Sequence, residues 1–252
     1  MQPAPAANAP VTTDASNDWV TLLAGSDRRG GIVPPRTEAP RDLLWRVVLP
    51  DVVRSSPVLG GATLFVACRD GLLYALDAAS GRTRWTFDAG AALRSTPSLS
   101  RGRVLFGADD GCVYAVDRSS GRLSWKASLG GEVWTSPVVL GGLVYAGTTS
   151  GVFAAADGET GRTVWTRTFD ERITSTPYAT TDAVYFGTAT GMVRALEPRA
   201  GGDVWVRQVP DGVCGAPALA DGVLVIASED FTVRALDART GDERWVVETG
   251  LG

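Results

Sequence analysis

Histidine is absent from the 252-residue sequence. Its absence removes the usual general base at neutral pH and the commonest nitrogen ligand for a transition metal. Cysteine is scarce. Cys68, Cys112 and Cys214 form an odd set without C-x-x-C spacing, which reads as small buried hydrophobes rather than a disulfide framework or a metal knuckle. Lysine occurs once, as Lys126, so nearly all positive charge is arginine, a pattern read as the codon bias of a GC-rich genome. The formal net charge is −4, which speaks against nucleic acid as a partner because phosphate binding needs a basic face. No run approaches the roughly 18 apolar residues of a membrane-spanning helix, so no membrane insertion is expected. The first residues carry neither a basic nor an apolar signal region. Residues 1–16 read as a disordered leader rich in Pro and Ala, and as written the chain is expected in the cytoplasm. A fragment of an exported parent would instead belong in the periplasm or outside the cell.

What the sequence has in abundance is repetition. "ALDAASGRTRW" (Ala75–Trp85) returns as "AVDRSSGRLSW", "AADGETGRTVW", "ALEPRAGGDVW" and "ALDARTGDERW", always 40 residues on. Trp45, Trp85, Trp125, Trp165, Trp205 and Trp245 keep that step. Gly81, Gly121, Gly161, Gly201 and Gly241 share a column, as do Pro57, Pro97, Pro137, Pro177 and Pro217. Each unit divides into four short alternating apolar segments with turn residues between them, and no 3.6-residue period is visible. A period of this length with four strands per unit predicts an all-β β-propeller of four-stranded antiparallel blades. The expected organisation is a lead-in over 17–50 with an extra N-terminal strand, Asp42–Leu49, then a β-propeller over 51–252. Its five complete repeats are blades 51–90, 91–130, 131–170, 171–210 and 211–250. A lone blade is too thin to bury both faces, so each needs the same docking part. A Trp buries ~150–250 Å², a gross ~4–6 kcal/mol. The Ala leaves room for the indole, and the Gly permits a positive φ in the turn.

The A-x-D-x-x-T-G-x-x-x-W phrase, "SSPVLGG" and "LLYALDAASG" resemble the tryptophan-docking motif and strands of PQQ-repeat, quinoprotein-like propellers. "WVTLLAGSDRRGG…LLWRVVL" is similar to that family's lead-in. The likeness covers residues 17–252 and is closest in type to the outer-membrane-protein assembly lipoprotein and the bacterial kinase sensor propellers. It implies the fold. It also implies that the N-terminal strand completes a last blade, yet the fifth repeat already ends in its own Trp-bearing strand. Three readings follow: five blades closed on themselves, a part-ring completed by another copy (a homo-oligomer) or a partner, or a piece of a longer ring. The family's dehydrogenases use eight blades, a calcium site and often adjacent cysteines. No Cys-Cys pair stands here, so a PQQ dehydrogenase is not expected, nor any cofactor.

Uniform columns belong to the scaffold, so columns that differ between blades carry the information about a site. D–A and B–C turns share one rim, the top. There Arg54, Arg94 and Trp134 lie one repeat apart, with Glu132, Arg172, Glu171 and Asp211 in the neighbouring turns. Two guanidinium groups and an indole at one radial level suit a small anion with a flat body, or an acidic peptide terminus. The B–C turns add Asp70, Asp109, Asp110, Glu229 and Asp230, but no D-x-D-x-D-G loop, so no metal site is expected. The composition and motifs point to a non-catalytic binding or scaffolding module for a protein or peptide. The alternative is an isomerase, cyclase or lyase using Glu132, Glu171 or Asp211 as acid or base. No catalytic residue is assigned.

Overall fold

The computed structural model describes residues 43–250. The expected leader over 1–16, and the lead-in up to residue 42, lie outside the described residues. The first blade runs β1 (Val58–Gly60), β2 (Thr63–Ala67), β3 (Leu72–Asp77) and β4 (Thr83–Asp88). The second comprises β5 (Ser98–Ser100), β6 (Arg103–Gly107), β7 (Cys112–Asp117) and β8 (Leu123–Ser128). The third has β9 (Val138–Leu140), β10 (Leu143–Gly147), β11 (Val152–Asp157) and β12 (Thr163–Thr168). The fourth has β13 (Tyr178–Ala179), β14 (Val184–Gly187), β15 (Met192–Leu196) and β16 (Asp203–Gln208). The fifth ends the series with β17 (Ala218–Ala220), β18 (Val223–Ser228), β19 (Thr232–Asp237) and β20 (Glu243–Glu248). Each set forms its own four-stranded antiparallel sheet in chain order. No helix among the described residues is long and apolar enough to cross a membrane.

Inner and outer strands differ as packing on two faces demands. β7 is buried at five successive residues, whereas β8 alternates and buries only Trp125 and Ala127. In register, each column Ala faces its own Trp: Ala115 pairs with Trp125, and the ladder bulges directly after that Ala in all five blades. The indole then crosses to the next blade. Trp125 Nε1–H donates to Gly158 O at 3.1 Å, and Trp85, Trp165 and Trp205 make the same bond 33 residues on. The glycine column has a second reason beyond its positive φ. A Cβ on Gly161 would lie 2.6 Å from Trp125 Cε3, and Gly121, Gly201 and Gly241 are met in the same way by the preceding blade's indole.

Residues 43–49 belong to no sheet among the described residues, yet Trp45 behaves as the tryptophan of a preceding blade. Its Nε1–H donates to Ala78 O at 2.9 Å, and its ring lies where a Cβ on Gly81 would be. The two ends of the series remain open. Leu93, Val133, Ile173 and Val213 are fully buried, three of them against Gly107, Gly147 and Gly187 of the blade before. Val53, their equivalent in the first blade, is 40% exposed. Trp245 is 45% exposed, and every residue of β20 is exposed. Strand A hydrogen bonds step from Ser56 to Thr96, Ser136 and Thr176, then stop where Ala216 offers no hydroxyl. The described blades therefore form an open arc. The reading in which five blades close on themselves is corrected: among the described residues, the buried contacts that join neighbouring blades are missing between the fifth and the first.

The C–D turns share one electrostatic brace. Asp117 Oδ1 accepts from the backbone and hydroxyl groups of Ser119 and Ser120, which hold its pKa down at about 2. Arg84 with Ser80 does the same for Asp77, and Arg244 with the backbone N–H groups of Thr240 and Arg239 for Asp237, each to about 2. A carboxylate held below its ordinary range contributes stability above that range and loses it as the pH falls through the folded value. Acid unfolding followed by circular dichroism is thus expected to steepen from ~pH 4 downwards. Asp117→Asn should flatten that fall. An unchanged acid limb in this variant would show that the brace is not coupled to folding.

Candidate functional site

The top rim is built by the alternation that begins each blade. The residue at Leu93, Val133 or Ile173 turns into the seam with the preceding blade, so its successor faces the other way, onto the rim. That successor is Arg94, Trp134 or Thr174. Arg94 does not stand free. Its Nε donates to both carboxylate oxygens of Asp109, at 2.9 and 3.1 Å, from the B–C turn of the same blade. Trp134 Nε1–H, on the next blade, donates to Asp109 Oδ1 at 3.1 Å. The Arg94 guanidinium carbon lies 4.9 Å from the Trp134 ring centroid, and that of Arg172, on the fourth blade, lies 5.3 Å from it. Three successive blades are therefore tied through one carboxylate and one indole.

The remaining expected residues fall around this knot. Arg54 and Arg172 are exposed, and Arg54 makes no ion pair among the described residues. Glu132 accepts from Thr149 Oγ1 at 3.5 Å. Glu171 lies 3.7 Å from Arg194, whose guanidinium covers the Phe169 ring at 4.3 Å. Asp211 is exposed and accepts from the backbone N–H of Gly212. The structure thus gathers Arg94, Trp134 and Arg172. It keeps Arg54, Glu171 and Asp211 outside their direct contacts.

Asp109 is the member that the sequence columns do not set apart from the ordinary turn acids. The signal was available: it is the B–C turn residue 15 positions after Arg94 in the same blade, and that column reads Arg69, Asp109, Thr149, Ala189, Glu229. The other turn acids brace the backbone. Asp70 and Asp110 each accept from a Tyr hydroxyl at 2.6 Å, those of Tyr74 and Tyr114, and from the amides of Leu72 and Cys112. Burial, then the adjacent carboxylate, pushes both phenols up. Thr232 first, then Arg234, holds Asp230 down. On the fifth blade the Cys214 thiol donates to Glu229 at 3.2 Å, and partial burial raises its pKa, so it is not poised as a thiolate. No group of three or more potential metal-binding side chains occurs among the described residues.

A family model described as outer membrane protein assembly factor BamB matches residues 36–129, 100–211 and 173–252, which together span most of the sequence. The chain belongs to the PQQ-repeat β-propeller family. Among solved structures, BamB from Moraxella catarrhalis is 22% identical with a TM-score of 0.70, covering 82% of this chain and 68% of that one. The quinohemoprotein alcohol dehydrogenase from Comamonas testosteroni is 17% identical with a TM-score of 0.80, covering 92% of this chain and 49% of that one. The computationally designed Ika8 protein is 20% identical with a TM-score of 0.66, over 75% of this chain and 59% of that one. No curated protein matches the chain. At these identities the likeness is one of fold, and the PQQ-repeat chain described here spans about half the length of the dehydrogenase.

Proposed function

We propose that this PQQ-repeat propeller is a non-catalytic binding module that holds a polypeptide partner on its top rim. The observation that carries the reading is the Arg94–Asp109–Trp134–Arg172 knot. It spans three blades, and its members hold one another without a ligand, the kind of preorganisation that lowers the cost of binding. The enzyme alternative asks Arg94 to hold a substrate carboxylate, and Asp109 already fills that place. The family match to an assembly factor, whose role is exercised on other proteins, adds support. With Arg94 neutralised, the charge offered to a partner comes from Arg54 and Arg172, and the aromatic surface from Trp134. A segment combining an acidic with an aromatic residue suits this surface.

A peptide array of such combinations, probed with the whole chain, tests the reading. Binding peptides are expected. The Arg54→Ala/Arg172→Ala variant, which changes two exposed side chains, should weaken them about tenfold, ~1.4 kcal/mol, with the thermal midpoint unchanged. An array that captures nothing, or peptides bound equally by wild type and variant, would remove the top rim from the account.

A further inference from the structure

The repeat supplies an internal control for every inter-blade notch on the opposite rim, where A–B and C–D turns meet. Between the first and second blades the Arg118 guanidinium lies against Gly60, close enough that a Cβ there would stand 2.9 Å from its Cζ. Between the second and third, Arg103 reaches from β6 to Glu159 in the C–D turn at 2.8 Å, and the void left is about 10 Å³. Between the third and fourth, Leu140 and Leu143 pack into the core there, and Tyr145 OH donates to Pro198 O at 3.2 Å.

The notch between the fourth and fifth blades keeps the frame and lacks the filling. Tyr185 OH donates to Ala238 O at 3.1 Å, just as Tyr145 does to Pro198. But the position of Arg103 is taken by Ala183, and that of Glu159 by Arg239, each 80 residues on. A cavity of about 490 Å³ results, within the size range of small-molecule sites. Ala183, Tyr185, Leu219 and Ala238 give it an apolar floor, and Arg239 stands at its mouth. Arg244 and Asp237 neutralise each other at 2.6 Å, whereas Arg239 is exposed and has no ion pair among the described residues. Asp182 also lines the mouth, which suits a single negative charge on an apolar body rather than a polyanion.

We infer that this notch is a binding site for an apolar carboxylate, its stem lying over Ala183 and its carboxylate on Arg239. The ligand would restore, with the polarity reversed, the guanidinium–carboxylate pair that closes the equivalent notch between the second and third blades. Either a free carboxylic acid or the C-terminal carboxylate of a polypeptide ending in an apolar residue presents this chemistry. The site lies on the rim opposite Trp134 and depends on no part of the top-rim reading.

Ligand-observed NMR titration of the whole chain with hexanoate, N-acetyl-leucine and 1-hexanol decides it. At least one acid should bind about tenfold more tightly than the alcohol, as a charged hydrogen bond provides. Tighter hexanoate would indicate a free acid as the natural source, and tighter N-acetyl-leucine a chain terminus. Arg239→Ala should bring acid and alcohol to equal affinity. Ala183→Arg/Arg239→Glu, which copies the closed notch, should abolish binding of all three while the unfolding midpoint is kept. Acids no tighter than hexanol, or a copied notch that still binds them, would overturn the assignment.

Discussion

Trp125→Ala is expected to lower the unfolding free energy by ~3–5 kcal/mol, the cost of removing a large buried aromatic and leaving its cavity. Trp125 is 7% exposed, faces Ala115 across the ladder, covers Gly161 and donates to Gly158 O. Its loss loosens the seam between the second and third blades as well as one core cluster. In a repeat array the stability is close to a sum of unit and nearest-neighbour terms, so a broken central seam weakens both flanks. The chain carries its own control. Trp245 occupies the same column with no blade beyond it and is 45% exposed, so Trp245→Ala should stay within ~0.5 kcal/mol of wild type. Urea denaturation of the two variants separates them. Equal midpoints would show that the tryptophan column does not derive its energy from the next blade.

Gly161→Ala is expected to cost ~2–4 kcal/mol, from a left-handed backbone imposed on an L side chain and from overpacking beneath the indole. Gly161 has a φ of 71°, and its added Cβ would meet Trp125 carbons at 2.6 Å and 2.7 Å. Gly102→Ala isolates the first component. Its φ is 76°, but nothing lies within 4 Å of the added Cβ, so ~1–2 kcal/mol should be lost. The difference between the two variants measures the indole contact. Should Gly102→Ala prove as damaging as Gly161→Ala, backbone strain alone would explain the column.

The architecture was legible because its physics repeats. A strict 40-residue period, one Trp per unit and turn glycines at fixed offsets leave few folds open, and the structure has the five four-stranded antiparallel sheets that they predict. The role of Gly161 was half legible. The turn chemistry predicts its positive φ, but the indole resting on it comes from the preceding repeat, a contact that only the stacking of blades creates. The candidate site was legible as columns and not as contacts. Arg94 and Trp134 stand out because their column varies, whereas their partner Asp109 sits in a different turn and looks like its neighbour Asp110. Which of two adjacent acids turns to the guanidinium and which to a tyrosine hydroxyl depends on the geometry of one B–C turn. Open ends belong to two of the three readings the sequence allows, since the count of repeats does not give the angle between blades.

Hydrogen–deuterium exchange on the chain, with and without the tightest peptide from the array, tests the central claim most directly. The account predicts slowed exchange confined to residues 51–54, 91–94, 131–134 and 171–174 and the B–C turn around Asp109, with the C–D turns unaffected. Protection confined to the C–D turns, or to β20 at the open end, would contradict it.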